Sequence, residues 1–396
     1  TANAISTVAD VDFYRVMPPA GYRKGLPASA RTDKGEGDIA PETRRRHFNA
    51  YNPTHLSTVP PRPTLARITN ETQAVASSGN YDGLIWTQGS PQVEETAYWF
   101  NLLVDTTLPI CCCAAQRPQG QLSADGPKNI VDSIAYIRSG AWRDEAGRNR
   151  CGTVLVQEQQ LFAAREAAKL DARPGGYGAT GGHGGILGQV SPRGRVPVMY
   201  VPAYKHTHQS EVSFSRLPRT VEAACLVEDG RIGTRTITVL KDGKLTEEAI
   251  PSVSIVKVGG YSDEDYTAGV ETAADLVALI DAKLRLGRLA GLVVEGLVPY
   301  GRLPSSPREA LVRRAAFSGL PVVRVGRGAP EGFAQPTPVS IGGSNLTATK
   351  ARILLMACLM KLGSMPVAVD PDRPSAEEKA QLAAALEPYQ HIFDTH

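Results

Sequence analysis

The segment 81–100, YDGLIWTQGSPQVEETAYWF, combines a short apolar strand with a turn that opens a helix at Ser90 and Pro91. The strand is formed by LIW at 84–86, Gly89 has no Cβ to clash in the turn, and Pro91 suits a first helical turn. Ser90 is the predicted N-cap. Free N–H groups and the helix dipole favour negative charge at such a point, so the turn is a candidate site for an anion or a developing oxyanion. A purely structural N-cap has the same pattern.

Five segments, in order along the chain, resemble the bacterial-type L-asparaginase/glutaminase family. Residues 81–104 resemble the family's strand and helix, which read roughly YDG, two hydrophobic residues, THGTDT-x-EETAY. The other four segments are AAQRPQGQLSADGPKN at 114–129, LFAAREAAK at 161–169, KHT at 205–207 and SNLTATKARILLMACL at 344–359. They span nearly the whole chain, which is identified as a member of this family.

The resemblance implies hydrolysis of a side-chain amide through a covalent acyl-enzyme. This chemistry requires a hydroxyl nucleophile, a base and N–H donors for the oxyanion. The family's threonine in T-H-G-T-D corresponds to Ser90, and its catalytic lysine to Lys169, so these two residues are the predicted catalytic pair. Gly89 and Ala115 are predicted to shape the substrate pocket. No cofactor is implied, because acyl transfer to water needs only protein groups.

Two residues of this turn depart from the family pattern. Gln88 replaces the family's histidine, and Pro91 replaces the aspartate that holds the substrate's α-ammonium group. An ammonium without a counter-charge in a closed site is costly. We therefore expect a linear or cyclic amide that lacks a free α-amino group. A competing hypothesis is a ligand-binding or structural protein that has kept the fold and lost the chemistry. A third makes Ser90 and Lys169 a self-sufficient dyad, which requires their side chains to lie within hydrogen-bond reach.

The family's first threonine site, in a T-G-G-T turn, does not occur in the chain. Residues 1–18 resemble the region after that turn, with the first helix at 8–16, so we expect the missing strand and turn to lie upstream. The alternative is that the protein lacks them. Thr54 and His55 are the closest match to the family's S-Q-D turn, which holds the substrate carboxylate. The polar stretch 22–52 before them is predicted to be a surface loop, with a lid or an oligomer contact as alternatives.

Composition limits the classes of function. The 396-residue chain is 42% hydrophobic, and its net charge of +3 argues against a dedicated nucleic-acid binder. No run of eighteen apolar residues occurs, so no membrane span is predicted. The six cysteines show no metal-binding spacing, and buried free thiols favour a cytoplasmic location. His206 and His208 lack a third metal ligand, so no metal site is predicted.

The predicted fold is α/β. A larger N-terminal domain (1–200) has a mostly parallel sheet flanked by helices, and a connector (201–220) leads to a smaller α/β domain (221–396) with a hairpin insertion near 225–250. The Gly-rich segment 173–188 is predicted to be either a flexible loop or one packed tightly against other backbone. The resemblance further implies a homotetramer, a dimer of dimers, that acts on a small-molecule amide.

Overall fold

A computed structural model describes most of the chain from residue 62 onward. The described ranges are 62–90, 92–117, 123–171, 175–180, 185–191, 194–228, 230–258, 274–297, 300–303, 306–327 and 333–396. Five features predicted from the sequence lie outside these residues: the helix at 8–16, the loop at 22–52, Thr54, His55 and Pro91.

The first sheet contains five strands in the order β1-β2-β3-β4-β7. Its first three strands pair in parallel, and β3, β4 and β7 then pair antiparallel. The strands are β1 (Leu84–Thr87), β2 (Ile110–Cys113), β3 (Thr153–Gln157), β4 (Gln160–Ala163) and β7 (Ile186–Gln189). The helices in this part of the chain are α1 (Thr64–Ala76), α2 (Val93–Leu103) and α3 (Gly126–Ser139). The strand predicted at 84–86 and the helix predicted after the following turn are confirmed.

The Gly-rich segment forms two strands in its described residues, β6 (Tyr177–Ala179) and β7. β6 pairs antiparallel with β5 (Ala167–Lys169) in a two-stranded ribbon. Two glycines are closely packed: a Cβ at Gly188 would lie 2.3 Å from the Pro197 carbonyl oxygen, and one at Gly185 would lie 2.6 Å from the Ala179 Cβ. The prediction of a segment packed tightly against backbone is therefore confirmed at Gly188, whereas Gly185 packs against side chains.

The second sheet is entirely parallel, in the order β12-β13-β14-β15. Its strands are β12 (Ser252–Lys257), β13 (Ala290–Gly296), β14 (Val322–Gly326) and β15 (Ile341–Gly342). The helices of this region are α4 (Ala274–Leu286), α5 (Ser306–Phe317), α6 (Ala348–Leu362) and α7 (Ala376–Thr395). Two hairpins precede the sheet, β8 (Thr220–Leu226) with β9 (Ile232–Thr238) and β10 (Leu240–Lys241) with β11 (Lys244–Leu245). Asp242 and Gly243 have φ values of 51° and 70°, as a two-residue Asp-Gly hairpin turn requires.

Helix α6 lies between the two sheets and packs against α2 and β13. Thr347 caps it by accepting a hydrogen bond from the Lys350 backbone N–H at 3.3 Å. Helix α7 begins with a capping box, in which Ser375 and Glu378 each satisfy the other's backbone N–H. Most of α6 is buried, so it can carry a side chain from the second half of the chain to the edge of the first sheet.

Two buried histidines predict acid sensitivity of the fold. His206 is 2% exposed and His396 is fully buried, and burial lowers the pKa of each to about 4. The unfolded chain therefore binds more protons than the folded protein between pH 6.5 and 4, so stability is present above pH 6.5 and is lost as the pH falls through this window. Each histidine contributes on the order of 3 kcal/mol.

We expect His206→Gln to flatten the decline in the free energy of unfolding between pH 7 and pH 4.5. Urea titrations at several pH values measure this slope. His391→Gln is the control, because its ring is 54% exposed. A His206→Gln curve that runs parallel to the wild-type curve would contradict the assignment.

Candidate active site

The structure brings the two predicted catalytic residues together. Lys169 Nζ donates a hydrogen bond to Ser90 Oγ at 2.6 Å, although 79 residues separate them. Ser90 lies in the turn that follows β1, and Lys169 is the last residue of β5. The geometric requirement for a serine–lysine dyad is therefore met.

The prediction that Ser90 is the N-cap of α2 is wrong. The helix begins at Val93, and the capping position falls on Gln92, which makes no side-chain cap bond. A tight turn precedes it, in which the Gly89 carbonyl accepts the backbone N–H of Gln92 at 3.1 Å and of Val93 at 3.2 Å. Because this turn moves the helix start past Ser90, the Ser90 hydroxyl is not used for capping and points to Lys169 instead.

The turn is positioned by parallel strand pairing. Thr87 of β1 is in register with Cys113 of β2, and the Gln88 backbone N–H continues the ladder by donating to the Cys113 carbonyl at 3.2 Å. The carboxyl ends of parallel strands lie at the same edge of a sheet, so Ser90 and Ala115 follow neighbouring strand ends. Ala115 is exposed at this edge, which is compatible with its predicted place in the pocket wall.

Asp125 holds the segment that follows Ala115. Its carboxylate accepts the backbone N–H of Gln116 at 2.9 Å and of Arg117 at 2.8 Å, and it also accepts from the Gln157 side chain. Burial opposes the charged carboxylate, but these hydrogen bonds outweigh it and lower the pKa of Asp125. The carboxylate therefore stays ionised and keeps this side of the candidate pocket in place.

Glu94 fixes the backbone of Lys169. Its carboxylate accepts the backbone N–H of Lys169, which anchors the end of β5 to the start of α2. Burial raises the pKa of Glu94, and the charge of Lys350 and the Lys169 N–H partly oppose this rise. Glu94 thus acts on the position of Lys169 through its main chain.

Lys350 joins the same two elements from α6. Its Nζ donates to the Glu94 carbonyl at 2.6 Å and to the Ala164 carbonyl at 2.7 Å. The side chain is 1% exposed, and burial lowers its pKa to about 8 against the opposing charges of nearby glutamates. Lys350 therefore connects the first turn of α2 to the segment that leads into β5.

Tyr177 makes a second contact with Ser90, through the main chain. Its phenol donates to the Ser90 carbonyl oxygen at 2.5 Å, and the residue is 6% exposed. In the β5–β6 ribbon Tyr177 is paired directly with Lys169. The Lys169 amine and the Tyr177 phenol, which both bind Ser90, therefore belong to the same ribbon.

The sequence motifs indicate no role for Glu94, Tyr177 or Lys350, although each residue lies in one of the segments described above. Glu94 is the first glutamate of the EETAY motif. Tyr177 is the one Phe, Tyr or Trp in the segment 173–188, and Lys350 stands in an apolar helical run. A bulky polar residue in a glycine-rich or apolar segment is the signal that could have marked the last two.

Other predicted features concern metals, thiols and membranes. The His206 and His208 rings lie 6.1 Å apart, and within the described ranges no group of three or more His, Cys, Asp or Glu side chains is placed to hold a metal ion. All six cysteines are buried free thiols, as predicted. The described helices include none with the length and apolar character needed to cross a bilayer.

Comparison with known proteins identifies relatives of part of the chain. Residues 53–175 match the family model for the N-terminal region of asparaginase. A 106-residue segment is 32% identical to the glutaminase-asparaginase of Acinetobacter glutaminasificans and covers 27% of this chain and 29% of that protein. A 136-residue segment is 29% identical to L-asparaginase 2 of Escherichia coli strain K12 and covers 34% and 37%. The aligned parts thus span about a third of these relatives' length.

A solved structure extends the likeness in fold beyond these segments. The crystal structure of a probable cytoplasmic L-asparaginase from Campylobacter jejuni superimposes with a TM-score of 0.58 at 22% identity, over 84% of this chain and 83% of that one. It supports a fold with an α/β sheet in each half of the chain, as described above. The chain is thus similar to asparaginases in its matched N-terminal region and in its fold, at low sequence identity.

Proposed function

We propose that this protein is an amidohydrolase of the asparaginase type, which hydrolyses a carboxamide through a hydroxyl nucleophile and an acyl-enzyme. The observation that carries the proposal is the 2.6 Å hydrogen bond between Lys169 Nζ and Ser90 Oγ. An alcohol is a weak nucleophile at neutral pH, and a base within hydrogen-bond reach is what activates it. Ser90 and Lys169 supply such a pair.

In the proposed reaction the Lys169 amine takes the Ser90 proton as Oγ attacks the amide carbonyl. The resulting ammonium returns the proton to the leaving nitrogen, the C–N bond breaks, and ammonia or an amine departs. Water then attacks the Ser90 ester with the same amine as base, which releases the acid and restores the serine. Backbone N–H groups at the strand–helix turn are the expected donors to the tetrahedral oxyanion.

The proposed substrate class rests on the proline at position 91. The family's aspartate would balance a substrate ammonium group, and proline supplies neither a charge nor an acceptor. A buried ammonium without a partner is strongly disfavoured. We therefore propose a linear or cyclic amide that lacks a free α-amino group.

The test is ammonia release from matched pairs of amides, with and without the α-amino group. We expect succinamic acid or N-acetylasparagine to be hydrolysed with a kcat/KM at least about tenfold above that of asparagine, because an unpaired charge costs more than about 1.4 kcal/mol. Glutamine and glutaramic acid form a second pair. A preference for asparagine would contradict the proposed substrate class.

Pro91→Asp provides the matched variant for this preference. The restored carboxylate is expected to raise the kcat/KM for asparagine relative to N-acetylasparagine. Pro91→Ala serves as the control, since it removes the proline ring without adding charge. If the ratio of the kcat/KM for asparagine to that for N-acetylasparagine changed equally in both variants, backbone conformation and not charge would set the preference.

An asparaginase-fold binding or structural protein is the alternative, and Pro91 is the residue that favours it. Absence of turnover on every amide tested, combined with saturable binding of one of them by calorimetry, would support this alternative.

We further propose a cytoplasmic location, supported by the six buried free thiols. We also propose a homotetrameric assembly, which sedimentation velocity would test.

A further inference from the structure

The β5–β6 ribbon places two polar side chains on one target. Its antiparallel register pairs Lys169 with Tyr177, and directly opposed residues of such a pair lie on the same face with Cβ atoms about 4.5–5.5 Å apart. Lys169 reaches the Ser90 hydroxyl at 2.6 Å, and Tyr177 reaches the Ser90 carbonyl at 2.5 Å. The side chain and the main chain of Ser90 are thus held from the same ribbon.

We propose that Tyr177 is a positioning residue of the Ser90–Lys169 site, whose phenol fixes the main chain of Ser90 so that its hydroxyl stays aligned with the lysine amine. This inference rests on the proposed function for its kinetic consequences. It assigns to the Gly-rich segment a part in catalysis that its composition does not suggest.

The need for such a contact follows from the local backbone. Ser90 lies outside both β1 and α2, so neither the strand ladder nor the helix holds its carbonyl. The turn is closed by bonds to the Gly89 carbonyl, one residue earlier. A rotation of the Ser90 peptide would carry the hydroxyl away from Lys169, and a displacement of about 1 Å can cost about a hundredfold in rate.

The surroundings of Tyr177 suit a donor and not a base. Burial raises the pKa of its phenol, and the carboxylates of Glu94 and Asp125 raise it further. The phenol therefore remains protonated and donates its hydrogen to the carbonyl. Proton transfer from Ser90 is left to Lys169.

Tyr177→Phe tests the inference, because it removes the phenol oxygen and retains the ring. We expect kcat to fall by at least about tenfold, with KM within about twofold of the wild-type value, because substrate binding is not the property disturbed. Tyr389→Phe is the matched control. Tyr389 lies on α7 and is also buried. Its phenol donates a hydrogen bond to the main-chain carbonyl of Gly363. Equal kcat values for the two variants would overturn the proposal.

A second readout does not depend on turnover. A fluorophosphonate probe phosphonylates activated serines with loss of fluoride, and intact-mass spectrometry measures its rate of addition, with Ser90→Ala as the blank. We expect Tyr177→Phe to slow the modification of Ser90 by at least about tenfold and Tyr389→Phe to leave it unchanged. A wild-type Ser90 that the probe does not modify, or equal rates in the wild type and Tyr177→Phe, would overturn the inference. Tyr177-dependent labelling without amide turnover would instead overturn the proposed function alone.

A second variant retains the phenol O–H at position 177 and tests the inference if Tyr177→Phe does not fold. Site-specific 3,5-difluorotyrosine at 177 retains the ring and the O–H and ionises more readily. We expect labelling of Ser90 to be lost at a lower pH than in the wild type, because an ionised phenol cannot donate to the carbonyl. Unchanged pH dependence would contradict the positioning role.

Discussion

Ser90→Ala is expected to lower the rate of amide hydrolysis by at least about a thousandfold, because it removes the hydroxyl that Lys169 contacts. The substitution leaves the backbone and its hydrogen bond from Tyr177 in place, so KM should change little. Initial rates of ammonia release give kcat and KM. Ser90→Thr keeps the hydroxyl that the family has at this position, and it should retain much of the activity.

Trapping of the acyl-enzyme tests directly whether Ser90 is the nucleophile. Acid quenching under saturating substrate, followed by peptide mass spectrometry, should find the acyl group on Ser90. Ser139→Ala is the control, since Ser139 lies at the end of α3 and its hydroxyl bonds to the Tyr136 carbonyl at 2.7 Å. A Ser90→Ala enzyme within about threefold of wild-type activity would refute the assignment of Ser90 as nucleophile.

Lys169→Ala is expected to reduce kcat by about a hundredfold to ten-thousandfold, the range typical for loss of a general base. Lys169→Arg should not restore activity, because a guanidinium remains charged at all accessible pH values and cannot accept the serine proton. Added primary amines of small size should restore part of the Lys169→Ala activity, since the deletion leaves space beside Ser90. Ammonia-independent detection of the acid product allows this rescue to be measured.

Lys128→Ala is the control for the removal of a lysine charge. Lys128 lies on α3, where its ammonium pairs with Asp132, and its side chain is 46% exposed. This variant should keep wild-type kcat. If Lys169→Arg matched the wild-type rate, charge and not proton transfer would be the function of Lys169, and the proposed mechanism would fail.

Sequence reasoning identified Ser90 and Lys169 because each lies in a segment that resembles a family motif. The strand of β1 and the helix α2 were also predictable, since an apolar run and a turn with glycine followed by proline are local signals. The position of Ser90 relative to the helix was not predictable. It depends on which carbonyl closes the turn, and Gly89 does so.

The contributions of Tyr177 and Lys350 depend on contacts between distant parts of the chain. Tyr177 reaches Ser90 because β6 pairs with β5, and a glycine-rich composition gives little sign of strand formation. Lys350 reaches the Glu94 carbonyl across 256 residues of sequence. Such pairings are set by tertiary packing, which overrides local propensity.

Because Lys350 of α6 binds segments next to Ser90 and Lys169, the geometry of the candidate catalytic centre depends on both halves of the chain. Its ammonium satisfies two carbonyls beside Ser90 and Lys169, yet it is carried by a helix from the last quarter of the polypeptide. The N-terminal half of the chain would, if expressed by itself, retain both carbonyls and lack their common donor. A destabilising change in the C-terminal half, although distant in sequence, would therefore also disturb the segments that hold the proposed catalytic amine and hydroxyl.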